Sequence, residues 1–177
     1  RVNVSVVKEY LSVAETNSGL EHPFKAEQNG EKSVILRIKG NFPKDTDFTV
    51  TLKKGAVPDK NCIETSAEQS FKFHTLRPIR LENADGTSSI RISFNHRLQA
   101  GREAEILSAF TFSPKMDVLP SQVKIQGNTV VIEDLPVTYG DAYSFRLAKN
   151  TVSDIYGQVY DKEIERKVTV PDADSYA

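Results

Sequence analysis

Ser89-Ile90-Arg91-Ile92-Ser93-Phe94 alternates polar and apolar side chains without a break, directly after the turn signal Asp85-Gly86. A period of two sends successive side chains to opposite faces of an extended chain. Ile90, Ile92 and Phe94 therefore share one face, and Ser89, Arg91 and Ser93 the other. This is the pattern of a half-buried strand. Further along, Phe110-Thr111-Phe112, Val123-Lys124-Ile125, Val130-Val131-Ile132, Tyr143-Ser144-Phe145-Arg146-Leu147 and Val168-Thr169-Val170 read the same way. Gly127-Asn128 stands between two of these runs as a two-residue hairpin turn. Towards the N-terminus the style continues in Val2, Val4 and Val6, in Val34-Ile35-Leu36-Arg37-Ile38, in Phe48-Thr49-Val50-Thr51-Leu52 and in Phe71-Lys72-Phe73-His74-Thr75. Helical signal is thin. It is confined to a turn or two within residues 98–107, where Gly101 and the lack of an apolar stripe forbid more, and to a short stretch at residues 65–69. The sequence predicts an all-β chain.

An internal repeat organises these strands. Residues 35–75 align with residues 130–170 at an offset of about 95. Phe48 then falls on Tyr143, Leu52 on Leu147, Val57 on Val152 and Asp59 on Asp154. Each copy reads as a strand, a turn with Asp, a strand ending in Leu, a Val-x-Asp turn and a closing strand. The aromatic and the Leu are expected to fill the space between two sheets, while the turn Asp caps backbone N–H groups. Leu76-Arg77-Pro78 separates the copies, and a proline suits a short, semi-rigid junction. The expected domains are residues 1–77 and 78–177.

Composition agrees with two small cores. The chain is 38% hydrophobic and 27% charged, which favours modest interiors under a well-solvated surface. Lys and Arg total 23 against 24 Asp and Glu, so no clustered positive charge is present to grip nucleic acid by counterion release. Lys53-Lys54 and the basic residues from Arg77 to Arg80 read as solvated edge or linker positions. The single cysteine, Cys62, has no partner for an internal disulfide and reads as a half-buried, inert thiol, since Lys60 is the one nearby cation to activate it. No apolar run approaches the ~18 residues needed to cross a bilayer. Arg1 is neither an initiator Met nor part of an apolar signal segment, so the chain reads as an excerpt of a longer protein.

The second copy carries a phrase with a family likeness. Ser89-Ile90-Arg91-Ile92-Ser93-Phe94-Asn95 is followed by Tyr139-Gly140-Asp141-Ala142-Tyr143-Ser144-Phe145-Arg146-Leu147, by Val152-Ser153-Asp154-Ile155-Tyr156-Gly157 and by Val168-Thr169-Val170-Pro171. This resembles the bacterial immunoglobulin-like domains of surface-layer proteins and of the N-terminal region of bacterial alpha-2-macroglobulins. The likeness covers about residues 79–171 well and residues 34–75 more loosely, because Asp59-Lys60-Asn61-Cys62 replaces the Asp-x-x-Gly turn. Residues 1–32 match no such phrase. The resemblance implies two tandem immunoglobulin-like β-sandwich modules. It also implies a non-catalytic spacer role near the start of an exported alpha-2-macroglobulin-like protein, periplasmic or at the cell surface and lipoprotein-anchored through another segment. The implied partners are neighbouring domains of the same chain and, through the parent protein, target proteases. The thioester motif Cys-Gly-Glu-Gln is absent, since Ile63-Glu64 follows Cys62, so any trapping chemistry would lie outside this chain.

Candidate chemistry is sparse. His22, His74 and His96 lie on separate segments without the spacing of a zinc site, and no Gly-x-Ser-x-Gly elbow is present. His74 and His96 read as strand-end polar residues. Asn83-Ala84-Asp85-Gly86, Asp154-Ile155-Tyr156-Gly157, Asp172 and Asp174 have carboxylates near turns, but none follows the spaced calcium loop. Asp85-Gly86 is expected to initiate a turn, and Asp154 to cap one with Gly157 at positive φ. No catalytic, cofactor or metal residues are expected. An enzyme would need a pocket that brings two histidines and a carboxylate together. The alternative to a spacer is a binding module of an adhesin or carbohydrate-binding protein. Its anchors would be exposed aromatics such as Tyr156, Tyr160 and Tyr176, and it weakens if Tyr139, Tyr143, Phe145 and Phe94 all point inward.

Overall fold

The computed structural model describes residues 4–28, 36–56 and 64–172. The chain is built mainly of antiparallel strands and divides at Pro78 into two compact units, residues 1–78 and 79–177. Among the described residues, no helix is long and apolar enough to cross a membrane.

The first unit begins with helix α1 (Val4–Glu9) and strand β1 (Leu11–Glu15). The hairpin of β2 (Phe24–Gln28) and β3 (Leu36–Gly40) follows. Next come β4 (Asp47–Leu52) and β5 (Gln69–His74), which join β1 in a sheet of order β1-β4-β5. The strand expected from Val2, Val4 and Val6 is instead helical from residue 4. Val4 and Val7 lie three apart and so share a helix face, Val7 is buried, and Lys8 stands in the last turn where a cation favours the helix dipole. Packing of that face overrides the weak helix propensity of valine. The helix expected at residues 65–69 is likewise absent. The Thr65 hydroxyl accepts from the Ala56 amide at 3.0 Å and donates to the Lys53 carbonyl at 3.1 Å, which holds an extended return, and Gln69 already opens β5.

The second unit starts with β6 (Leu81–Gly86) and β7 (Ile90–Phe94). Helix α2 (Glu103–Ser108) and β8 (Phe110–Ser113) follow, then the hairpin of β9 (Val123–Gln126) and β10 (Thr129–Ile132). Strands β11 (Ala142–Leu147) and β12 (Ile164–Thr169) close it. One sheet has the order β6-β7-β10-β9 and the other β12-β11-β8. Gly127 takes φ +66 in the two-residue turn of the β9–β10 hairpin. Ile90, Ile92 and Phe94 of β7, Val130 and Ile132 of β10, and Tyr143, Phe145 and Leu147 of β11 meet in one buried core. Their alternation is the sequence pattern made solid. The turn expected at Asp85-Gly86 comes one residue late. Both belong to β6, and residues 87–89 form the bend. Gly86 is there for space: a Cβ would stand 2.7 Å from the Tyr143 hydroxyl, which donates to the Thr87 carbonyl at 2.8 Å.

Gly86→Ala is therefore expected to destabilise the second unit by about 1–3 kcal/mol through overpacking. Tyr143→Phe alone should cost about 1 kcal/mol for the lost hydrogen bond. The double variant, measured in urea, should be less destabilised than the sum of the two. Strict additivity would mean that the hydroxyl is not what excludes a methyl group at position 86.

The repeat is visible as register. β4 pairs with β5 from Asp47↔His74 to Leu52↔Gln69, and β11 with β12 from Ala142↔Thr169 to Leu147↔Ile164. Every one of these residues stands 95 beyond its counterpart. The preceding segments repeat as well, at an offset of 99: α1 falls on α2, β1 on β8 and the start of β2 on the start of β9. In both sheets the helix-following strand is the third member, Leu11 opposite Leu52 and Phe110 opposite Leu147. Val57, Asp59 and Cys62 lie outside the described residues, so the first Val-x-Asp turn and the burial of the thiol are not part of this correspondence.

Candidate functional site

The densest polar arrangement in the second unit surrounds Asp154. Its side chain is fully buried, yet it is fully partnered. One carboxylate oxygen accepts the backbone N–H groups of Tyr156 and Gln158 at 2.9 and 2.8 Å. The other accepts from His96 Nδ1 at 2.8 Å and from the Gln158 side-chain amide at 3.0 Å. Gly157, at φ +80, lets the chain reverse between these donors. Burial raises the Asp154 carboxyl. The hydrogen bonds from His96, Gln158 and Tyr156 outweigh it and leave the group below its ordinary value. The cap expected of Asp154 is thus present, and His96 is the clasp that ties the end of β7 to it. A second polar link flanks it: Arg102 donates to the Ser153 hydroxyl and to Glu105.

What this framework presents to solvent is apolar. Ile155, Tyr156 and Val159 are 53, 60 and 47% exposed, on a turn whose base is fixed by a buried carboxylate. Tyr156 stands edge-on to His96 with centroids 5.7 Å apart, whereas Tyr160 turns inward onto Phe94 at 5.2 Å. Of the four aromatics that bear on binding, Phe94, Tyr143 and Phe145 are buried and Tyr139 is 68% exposed. Tyr139 borders a shallow cleft of about 560 Å³ lined by Thr87, Ser88, Val137, Thr138, Val170 and Pro171. Tyr176 and Asp174 lie outside the described residues. Gln158, Arg102 and the exposed pair Ile155 and Val159 were not legible as site residues. Only the Arg102-x-x-Glu105 spacing hinted at the ion pair.

The other histidines are also committed to local carboxylates. His22 Nε2 meets Glu15 at 2.9 Å, and its ring stands edge-on to Phe48. His74, the last residue of β5, lies between Asp47 at 2.8 Å and Asp45 at 3.0 Å. Asp85 accepts a hydrogen bond from the Asn83 amide within β6. Among the described residues no group of three or more His, Cys, Asp or Glu side chains is arranged to hold a metal ion, and no buried side-chain polar atom lacks a partner.

No family model and no curated protein matches the chain.

The His74 clasp gives a pH signature. Hydrogen bonds to Asp47 and then Asp45 raise the His74 imidazole above its ordinary value near 6.5. A raised folded-state value means that the imidazolium's contribution is complete below pH ~6.5 and is lost as pH rises through the higher folded value. An NMR titration should place the His74 midpoint above that of a free histidine, and Asp47→Asn should bring it down. A midpoint unchanged by Asp47→Asn would remove Asp47 as the cause.

Proposed function

We propose that the chain is a pair of non-catalytic, immunoglobulin-like β-sandwich modules that space and orient neighbouring domains. The parent would be an exported bacterial protein of the alpha-2-macroglobulin-like kind, periplasmic or cell-surface. The observation that carries this reading is the use to which the polar side chains are put. Each histidine and its carboxylates are spent inside one unit, holding a strand end or a turn, and the repeated strand register supports a reading as two sandwich modules in tandem. The family part of the reading rests on the motif likeness.

The test is a binding survey of the purified chain. A spacer is expected neither to inhibit nor to retain a panel of serine, cysteine and metalloproteases, and to give no saturable signal on glycan or host-protein arrays. The second reading, a cell-surface binding module, is favoured by one observation, the exposed Ile155, Tyr156 and Val159 on a fixed turn. A saturable ligand whose binding is abolished by Tyr156→Ala, with the melting temperature unchanged, would replace the spacer reading with that one.

A further inference from the structure

The two units share an order of elements, and among the described residues the second has a strand pair more. Within each, a helix leads into a sheet strand, a two-stranded hairpin and the closing pair, and the helix packs on the first hairpin strand, α1 on β2 and α2 on β9. Hairpin pairing aligns the rest: Phe24 opposite Gly40 corresponds to Val123 opposite Ile132, so Val130 matches Ile38 rather than the Ile35 expected from the sequence repeat, and Lys39 matches Val131. In the second unit β10 uses its other edge to pair antiparallel with β7, which carries β6 beyond it. Among the described residues of the first unit, β3 pairs with β2 alone. The β6–β7 pair has no counterpart there.

The consequences are visible at matched positions. Tyr143, Phe145 and Leu147 are buried under the side chains of β7, whereas of their counterparts only Phe48 is buried, and Val50 and Leu52 are half-covered. Val168 is 9% exposed and its counterpart Phe73 37%. Arg166 reaches the Ala84 carbonyl of β6 at 3.1 Å, while its counterpart Phe71 is 63% exposed. Phenylalanine at that position is suited to an apolar neighbour and is poorly suited to water. Gly40, matching Ile132, is covered by the ring of Phe42.

We propose that the edge of β3 left unpaired among the described residues, together with Phe71 and Phe73, is a docking surface for a two-stranded β-segment lying outside residues 1–177. The occupant enters by strand addition, antiparallel to β3. Its inner strand carries β-branched and aromatic side chains at alternate positions, as Ile90, Ile92 and Phe94 do. Between them it carries acidic side chains, because the solvent face of β3 presents Arg37 and Lys39, of which Lys39 is already shared with Glu27 of β2 at 2.6 Å. This chemistry separates the occupant from β7 itself, whose Arg91 lies opposite Val131 and would meet Lys39 here.

The internal repeat provides the probe. Residues 79–102 lead into Glu103, the counterpart of Val4, so a copy of 79–102 replacing residues 1–3 places a β6–β7 pair where the first unit lacks one. The copy carries Arg91→Glu, and amide hydrogen exchange of residues 36–40 is read in the full chain. Protection of the alternate, edge-facing amides is expected to rise roughly tenfold or more. A copy that retains Arg91 should give a smaller rise, and one with Ile92→Asp none. Exchange at residues 36–40 within about twofold of the unmodified chain, whether or not the added segment is itself protected, overturns the proposal and leaves Arg37 and Lys39 as guards against edge pairing. So does protection of β3 in the unmodified chain that grows with its concentration, which would make a second copy the occupant.

Discussion

Replacing Asp154 with alanine is expected to destabilise the second unit by about 3–5 kcal/mol, since each buried donor left without its acceptor costs about 1–3 kcal/mol. For a body of this size that corresponds to a fall in melting temperature of roughly 12–20 °C. The magnitude follows from what is left behind. Two backbone N–H groups, the Gln158 amide and a His96 ring nitrogen all lose their acceptor at once, in a place where the carboxylate itself is shielded from water. Asp154→Asn keeps one carbonyl acceptor and should lose less. The sign with pH follows from the lowered carboxyl. The contribution is present above the unfolded value near 4 and is lost as pH falls through the still lower folded value. Urea melts at pH 7 should therefore separate the wild-type chain from Asp154→Ala widely, and melts near pH 2 much less. A gap under 1 kcal/mol at pH 7 would show that the turn holds without its carboxylate.

Asp154 also shows how far the sequence could be read. Its capping role was legible because Asp followed three residues later by Gly states a turn and a positive φ in four letters. The partner was not, because His96 stands 58 residues away and only the closed fold brings the two together. The same contrast runs through the strands. Residues 89–94 and 142–147 alternate over a fully buried face, so a period of two was unmistakable. Strands β1, β2 and β6 went unread: Leu11-Ser12-Val13-Ala14-Glu15 has one deeply buried side chain, and β6 buries only Ala84. The N-terminal valines misled for a related reason. Three alternating valines fit a strand, and what makes residues 4–9 a helix is the burial of Val7 against the rest of the unit, a tertiary fact.

That difference in cover between matched positions predicts a difference in energy. Leu147 and Leu52 occupy the same place in the repeat, each closing a β4-type strand and each opposite the first residue of the helix-following strand. Leu147 is 1% exposed and packed in a core to which two sheets contribute. Leu52 is half-buried. Leu147→Ala should cost about 3–5 kcal/mol, because the lost transfer energy is joined by a cavity that close-packed neighbours cannot collapse. Leu52→Ala removes the same atoms from a site already open to water, where no closed cavity forms, and should cost about half as much or less. The measurement is a pair of urea melts with a reporter in each unit, since the two transitions need not coincide. Equal losses at the two positions would mean that the first unit buries its leucine as deeply as the second. The open edge of β3 would then be no deficit of the first core, and the case for a missing strand pair would fail with it.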